Sequence, residues 1–407
     1  MPATMSTLAG ALKNVYLGPI AQAIYDLRVI RKRIKKNSED VRGGNIKIPT
    51  NLKRNVATTA IGDGGTYPTG GHQGVYQTDF DTKDHVGAIR LTTRTIRHTE
   101  SDKGAFKSAV KLETDGLVEN LDKYLNILMH GNGTGKLAKC AAGTTVNTVT
   151  VVTSRNLEVD QIVDIVDEAT GVAITNGTGL VIDDVPSSTT FHFTGTAVTV
   201  TTAHIVVKTG TWGKVLMGLE GIIATANPPT GSFQGLSRAT YSAWKSNVIA
   251  NGGTARTLTI ALMEQAYNSC IVGGGKPSLI VSNFAPQTKY LDLQASNKRF
   301  LESKTLDGGF EAYSYKGVPW VADPDAFYVS TTNGHIDFLD ESVLYHFLGT
   351  PNGFKWDDTD GNVLKQIDNT ANVSGFCIYD AEFGTRAPRR HARLADITTD
   401  AELETGV

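Results

Sequence analysis

The pattern of hydrophobic and polar positions is most regular from residue 102 to residue 130, DKGAFKSAVKLETDGLVENLDKYLNILMH, which contains no proline. Apolar residues recur there at spacings of three, four and seven positions, at Phe106, Val110, Leu117, Leu121, Leu125 and Leu128. This stripe predicts one amphipathic helix, capped at its start by Ser101 or Asp102 and ended by the glycines of GNGTG. At about 1.5 Å per residue the helix is roughly 40 Å long, which suits a beam better than a small globule.

The segment before this helix divides into two parts of different character. Residues 1–40 are predicted to form a helical arm, because apolar positions at helical spacing extend over residues 5–36, with a kink at Gly18-Pro19. The arm ends in a basic cluster made of Arg28, Arg31, Lys32, Arg33, Lys35 and Lys36. Such a cluster suits contact with phosphate or with an acidic partner, but it is equally expected of a solvated helix end that complements the helix dipole.

Residues 41–100 are rich in glycine and contain few large apolar residues between positions 50 and 85. The segment GAIRLTTRTIRHT, residues 87–99, alternates in part and predicts a strand with one wet face. Because this stretch cannot build a core of its own, we expect a long two-stranded loop that projects from the body and lies on a partner.

Residues 144–209 are dominated by threonine, valine and isoleucine, with turn signals between short apolar runs. They predict five or six short strands that form a small barrel or sandwich inserted into the chain. Their acidic residues do not follow the EF-hand spacing, so solvated strand ends are favoured over a calcium site. These residues are Asp160, Asp164, Asp167, Glu168, Asp183 and Asp184.

Residues 210–400 have a mixed α/β pattern. Helices are predicted at VLMGLEGIIATA, TYSAWKSNVIA, LTIALMEQAYNSCIV and APQTKYLDLQ, the third stopped by the glycines at 273–275. Strands are predicted at PSLIVSN and in the segments from YKGVPWVADP to NVSGFCIYDAEFGTR. The segment FGTRAPRRHARL carries a second basic cluster, Arg386, Arg389, Arg390 and Arg393, before a short tail at 401–407.

Composition narrows the class of protein. A chain of 407 residues is long enough for two or three domains, and a net charge of −2 argues against a generally basic nucleic-acid binder. The three cysteines, Cys140, Cys270 and Cys377, match no zinc spacing and suit a reducing cytoplasm. We find neither a signal peptide nor an apolar run that could span a membrane, so we expect no membrane partner.

Motifs for chemistry are weak. The segment from His130 to Leu137 resembles a phosphate-binding loop, but only three residues separate Gly131 from Gly135, and Leu137 follows Lys136 where a Ser or Thr is needed. The nine histidines form no HxxxH or HExxH pair, and no GxSxG nucleophile motif is present. We therefore predict that the protein is not an enzyme and has no catalytic, cofactor-binding or metal-binding residues.

The order of the parts, a basic arm, an extended loop, a beam helix and an α/β body, resembles the major capsid protein of tailed bacteriophages, the Hong Kong 97 fold. Four segments resemble parts of the C-terminal half of that family in the right order: GLSRATYSAWKSNVI, PSLIVSNFAPQTKYLDL, LDGGFEAYSYKGVPWVADPDA and FGTRAPRRHARLADI. The resemblance covers about residues 1–143 and 210–397, and the β-rich segment between them looks like an insertion.

The resemblance implies an α+β fold with named parts. These are an N-terminal helical arm at 1–40, an extended E-loop at 41–100, the spine helix and the start of the peripheral domain at 101–143, an inserted all-β domain at 144–209, axial and peripheral domains at 210–400, and a C-terminal tail at 401–407. In some relatives a lysine of the loop is crosslinked to an asparagine of a neighbour. Lys47, Lys53 and Lys83 lie in the loop region here. The asparagine and the acid that a crosslink needs beside such a lysine are brought there by the fold and the assembly, not by the sequence alone.

The same resemblance implies a function. The chain is expected to assemble as hexamers and pentamers into the icosahedral shell around the double-stranded DNA of a tailed phage, in a virion assembled in the host cytoplasm. Scaffolding and portal proteins, a decoration protein, and DNA bound without sequence specificity are the implied partners, and the two basic clusters would face acidic neighbours or packaged DNA. The alternatives are an encapsulin-like bacterial compartment shell, and a hydrolase or carbohydrate-binding protein that uses residues 144–209.

Overall fold

The computed structural model describes residues 29–94, 103–296, 303–305, 311–326, 333–349, 353–358, 363–366 and 370–398. Its helices are α1 (Val29–Arg33), α2 (Lys103–His130), α3 (Leu219–Ile222), α4 (Ile260–Val272) and α5 (Phe284–Ser296), with single 3-10 turns at Ser242–Trp244, Glu341–Val343 and Pro388–Arg390. The strands up to the end of the β-rich segment are β1 (Lys35–Asn37), β2 (Val41–Arg42), β3 (Asn45–Lys53), β4 (Gly74–Asp81), β5 (Lys83–Thr92), β6 (Lys136–Lys139), β7 (Gly143–Val146), β8 (Thr148–Thr150), β9 (Ile162–Asp167), β10 (Leu180–Ser187), β11 (Thr190–Phe193), β12 (Val198–Val200) and β13 (His204–Lys208). The later strands are β14 (Asn247–Ile249), β15 (Leu279–Ser282), β16 (Ser303–Thr305), β17 (Glu311–Tyr315), β18 (Val318–Ala322), β19 (Asn333–Leu339), β20 (Leu344–Leu348), β21 (Lys355–Trp356), β22 (Lys365–Gln366), β23 (Asn372–Thr385) and β24 (Ala392–Thr398).

The long helix α2 confirms the strongest pattern in the sequence. It ends at His130, and Leu121, Leu125 and Leu128 of the apolar stripe are buried. The chain then leaves the helix through Gly133 and Gly135, which have φ of +83° and +79°, in the left-handed region where glycine is favoured. The predicted caps at residues 101 and 102 lie outside the described residues.

One sheet is built around β23, a strand of 14 residues. Strands β20, β21, β22 and β5 all pair with it antiparallel, and β1 adds to β20 in parallel. The pairing of β5 with β23 is continuous from Lys83 opposite Ala381 to Thr92 opposite Asn372. Strand β5 is therefore part of the body, although it lies within the predicted loop at 41–100.

The first basic cluster is only partly helical. Helix α1 ends at Arg33, and Lys35–Asn37 form β1, so the predicted helix up to residue 36 is wrong at its end. The physical reason is the parallel pairing of Lys35 with Tyr345, which fixes this segment as a strand. Residues 1–28, including the predicted kink, lie outside the described residues.

A second sheet has seven strands in the order β14-β24-β19-β15-β18-β17-β16, and helices α4 and α5 pack on it. Its core contains Met263, Trp320 and Phe338, all fully buried. Helices α4 and α5 and strand β15 confirm the patterns that predicted them. Thr259 caps α4, because its side chain accepts a hydrogen bond from the Leu262 N–H.

Two helix predictions in this half are wrong. The segment VLMGLEGIIATA is helical only over Leu219–Ile222, and TYSAWKSNVIA forms a 3-10 turn followed by strand β14. Strand β14 pairs in parallel with β24, which is about 145 residues later in the chain, so a long-range partner overrides the local helical pattern.

The β-rich segment forms a six-stranded sheet in the order β6-β13-β9-β10-β11-β8 and a small ladder of β12 with β7. Its strands agree with the predicted all-β character, but β6 begins at Lys136, before residue 144. Val149, Val163 and Phe191 belong to the same hydrophobic cluster as Leu125 and Leu128 of α2. That this segment is a separate inserted domain stays a prediction.

Candidate assembly surface

The two basic clusters of the sequence meet around the ring of Tyr345. The Lys35 Nζ lies 6.0 Å from the ring centroid, and the Arg386 guanidinium carbon lies 4.8 Å from it. Arg386 also forms an ion pair with Asp40. The sheet brings the two clusters together, because Tyr345 of β20 pairs with Lys35 of β1 on one side and with Gly384 of β23 on the other.

The turn at residues 340 and 341 receives one arginine from each cluster. The Arg33 guanidinium donates to both carboxylate oxygens of Glu341, at 2.5 and 3.2 Å, and the Arg390 Nη1 lies 3.8 Å from the Asp340 Oδ2. Burial alone would raise the pKa of Asp340, but hydrogen bonds from Ser342 and from the Lys276 N–H lower it. Asp340 is therefore held as an anion facing Arg390.

Two of the residues predicted to contact a neighbouring subunit or DNA are buried within the protein. Arg31 is buried between the rings of Phe354 and Tyr379 and forms an ion pair with Asp122 of α2. Arg393 is buried against Asp337. Because their guanidinium groups are enclosed and matched by internal carboxylates, these two residues do not face a partner, and their expected role is corrected here. Arg28 lies outside the described residues.

Apart from Arg33, which pairs with Glu341, the remaining described members of the clusters form what we call the basic surface. Lys32, Lys35, Lys36, Arg386 and Arg389 are exposed, and Arg390 is partly exposed. The basic surface lies along β1 and the 3-10 turn at Pro388–Arg390, on both sides of β20.

A groove of about 600 Å³ lies beside the basic surface, and we call it the arginine groove. Its walls come from β3, the end of α4 and the segment after β23, and its arginines are Arg54, Arg386, Arg389 and Arg390. The backbone of Arg389 passes very close to Gly273, where an added Cβ would lie 2.0 Å from the Arg389 carbonyl oxygen. The glycines that end α4 therefore allow this arginine segment to pack against the helix end.

The hairpin of β3 and β4 is anchored at its root and exposed at its tip. At the root, Ile46 and Ile48 pack with Phe347, and further along the hairpin the rings of Tyr76 and Tyr241 are 4.6 Å apart. At the tip, Val56 and Tyr67 are 80% and 83% exposed. The sequence predicted this two-stranded loop, and the structure confirms it between Asn45 and Asp81.

The lysines considered for crosslinking lie in or beside this hairpin. Lys47 pairs with Asp79 at 3.4 Å, with both side chains more than half exposed, and Lys83 begins β5.

A buried polar cluster that the sequence did not reveal joins α2 to the seven-stranded sheet. His130 Nε2 lies 3.2 Å from Asp323 Oδ2, and the Asn126 amide donates to Asp325 at 2.8 Å. Burial opposes a charge on His130, but Asp323 and its acidic neighbours outweigh it and raise the pKa of His130. The only signal in the sequence was the DPD of the segment VADPDA, which by itself names no partner.

The residues of the weak phosphate-loop resemblance have a structural role. Lys136 is buried, with its Nζ 3.0 Å from Glu220 and 3.2 Å from Glu168, in the first strand after α2. Within the described residues, no group of three or more His, Cys, Asp or Glu side chains is arranged to hold a metal ion. None of the helices in that part of the chain is both long and apolar enough to cross a membrane.

Comparisons with known proteins identify the fold. No protein-family model matches the chain, and a search of curated proteins finds no relative. Among solved structures, the capsid asymmetric unit of cyanophage A-1(L) is 12% identical with a TM-score of 0.56, and the match covers 97% of this chain and 99% of that one. The capsids of the empty and the native GTA particle are each 9% identical, with TM-scores of 0.53 and 0.51. Their matches cover 97% and 98% of this chain and 99% of each of theirs. The chain therefore has the Hong Kong 97-type capsid fold that the order of its parts predicted.

Proposed function

We propose that this protein is the structural major capsid protein of a tailed bacteriophage, and that it assembles as hexamers and pentamers into the icosahedral shell around a double-stranded DNA genome. The capsid fold supports the proposal, because the likeness to the cyanophage A-1(L) capsid extends over 97% of the chain. We propose the virion capsid as its location and the host cytoplasm as the place of assembly.

The observation that carries the proposal is the hairpin of β3 and β4. Its tip leaves Val56 and Tyr67 exposed in the single chain. Burial of apolar surface contributes roughly 25 cal/mol per Å², so these side chains gain stability only when a neighbour covers them. A hairpin with a fixed root and an uncovered apolar tip suits a subunit that is completed by its neighbours.

The basic surface and the partners are part of the same proposal. The basic surface would face acidic neighbours or the phosphates of packaged DNA, without sequence specificity. Scaffolding and portal proteins, and a decoration protein, are proposed as further partners, and the β-rich segment is proposed as an inserted domain. We assign no enzymatic role to the chain.

Negative-stain electron microscopy of the purified protein and of native particles tests the proposal. We expect closed shells of uniform size that contain DNA when taken from the native source. Shells that hold a cargo enzyme and no DNA would favour an encapsulin-like compartment instead. Dispersed protein under every assembly condition, with no shell in the native source, would contradict the proposal. That result would favour a hydrolase or a carbohydrate-binding protein.

A further inference from the structure

We propose that the arginine groove binds the acidic C-terminal segment of a neighbouring copy of this chain, through residues 400–407, DAELETGV. This inference rests on the proposed function, because it needs copies of the chain side by side. It adds a specific contact that the proposed function does not contain, namely a tail-in-groove joint between subunits.

The charge of the groove calls for an anionic ligand. Among the residues that the structure describes, four arginines and no acidic residue line the groove. Arg386 is matched by Asp40 and Arg390 faces Asp340, but Arg54 and Arg389 form no ion pair or side-chain hydrogen bond among the described residues. Two guanidinium groups therefore remain for a ligand, and arginine binds carboxylates in a bidentate manner.

The walls of the groove also have an apolar part. Leu52, Trp244 and Pro388 contribute to the lining, together with Val272, which is 81% exposed at the end of α4. A ligand that fits this surface combines carboxylates with an aliphatic side chain. Duplex DNA presents phosphates along a rigid backbone and offers nothing to the apolar part, so the groove favours a peptide over DNA.

The C-terminal segment has this combination. In an extended chain, successive side chains point to opposite sides, so Glu402 and Glu404 lie on one side and Leu403 on the other. The two carboxylates can then reach Arg54 and Arg389 at the rim while Leu403 faces Val272. Asp400 adds a third negative charge to the same segment.

Chain geometry favours a second copy as the source of the segment. Strand β24 carries the chain away from Arg390, and at about 3.3 Å per residue the eight residues to Thr398 span roughly 26 Å. Glu404 is six residues beyond Thr398, a reach of at most about 20 Å. By these lengths the backbone of Glu404 falls short of Arg390 of its own chain, so we commit the proposal to the groove of a neighbouring copy.

Photo-crosslinking in the full chain tests the proposal. The photoreactive substitution Leu403→p-benzoylphenylalanine is introduced, assembled particles are irradiated, and products are mapped by denaturing gels and mass spectrometry. We expect interchain products joined to the peptides that contain Val272 or Pro388. The double substitution Glu402→Gln with Glu404→Gln, and separately Arg54→Ala with Arg389→Ala, should each lower the yield about fivefold. Arg90→Ala removes an exposed arginine outside the groove and should leave the yield unchanged.

Several results would overturn the proposal. These are crosslinks within one chain, crosslinks to other surfaces, or a yield that does not depend on the glutamates. A gel-shift assay with a duplex oligonucleotide forms the second arm. DNA binding that depends on Arg54 and Arg389, with crosslinking unaffected by them, would assign the groove to DNA. Uniform shells with crosslinks elsewhere would contradict only the contact between tail and groove, whereas absence of shells under every assembly condition and in the native source would contradict the proposed function.

Discussion

Arg393 donates two hydrogen bonds of 2.7 Å, from Nε and Nη2, to the two carboxylate oxygens of Asp337. The residues face each other in register on β24 and β19, and both are buried. Burial alone would raise the pKa of Asp337, but the Arg393 guanidinium lowers it, so the pair is ionic inside the sheet.

Removing one member of this pair is expected to be costly. Asp337→Asn keeps the shape of the side chain but leaves the Arg393 charge buried without its counter-charge, and we expect a loss of about 3–5 kcal/mol in the free energy of unfolding. Urea unfolding followed by circular dichroism measures it. Arg90→Ala, at an exposed position, should change stability by less than about 0.5 kcal/mol. A loss below about 1 kcal/mol for Asp337→Asn would contradict the interpretation.

Buried neutral histidines are expected to make the protein sensitive to acid. Burial, with help from the nearby cations Arg31 and Lys36, lowers the pKa of His346 to about 3. The unfolded chain takes up this proton near pH 6.5 while the folded protein does not, so stability falls as the pH decreases from about 6.5 towards 3. One such histidine contributes a slope of up to about 1.4 kcal/mol per pH unit.

The variant His346→Phe tests this linkage. Phenylalanine suits a site beside the Tyr379 ring and cannot take up a proton. We expect the stability of the variant to fall less steeply than that of the parent protein between pH 6.5 and 4, as measured by urea unfolding at several pH values. Parallel curves for the two proteins would show that His346 is not responsible.

Two glycines should respond to alanine in opposite directions. At Gly273 an added Cβ would lie 2.0 Å from the Arg389 carbonyl oxygen, so Gly273→Ala should push that backbone away and cost about 1–3 kcal/mol. At Gly116, inside α2, an added Cβ meets nothing within 4 Å, and Gly116→Ala should stabilise the helix by about 0.5–1 kcal/mol. Thermal unfolding of the two variants provides the comparison, and equal shifts would refute the steric argument.

The hairpin tip should matter for assembly and not for folding. Val56→Ser and Tyr67→Ser remove exposed apolar surface, so each should change the free energy of unfolding of the subunit by less than about 0.5 kcal/mol. If the tip is covered by a neighbour in the shell, the same variants should lower the yield of closed particles in electron micrographs. Normal particle yields for both would contradict the role proposed for the hairpin.

Local patterns were sufficient for the elements that bury a regular stripe. Helices α2 and α4 and strand β15 follow directly from apolar spacing and from glycine stops. Local patterns failed for residues 247–249, where pairing with β24 decides the structure. Local patterns also could not show that Arg31 and Arg393 are buried while most of their basic neighbours in the sequence are exposed. Their partners, Asp122 and Asp337, are distant in sequence, and only the fold brings the charges together.

The long strand β23 has a consequence for the order in which the chain can be completed during synthesis. The Nδ1 of His85 lies 3.3 Å from the backbone carbonyl oxygen of Tyr379, 294 positions later. Strand β5 therefore cannot pair with β23 until almost the whole chain has been synthesised. Contacts between residues so far apart in sequence also form slowly. A chain that ends before β23 lacks the strand that pairs with β5, which directly follows the hairpin. If the protein builds shells as proposed, a truncated subunit could not complete the sheet around β23. The fold itself would then keep incomplete subunits out of the particle, without a separate quality-control factor.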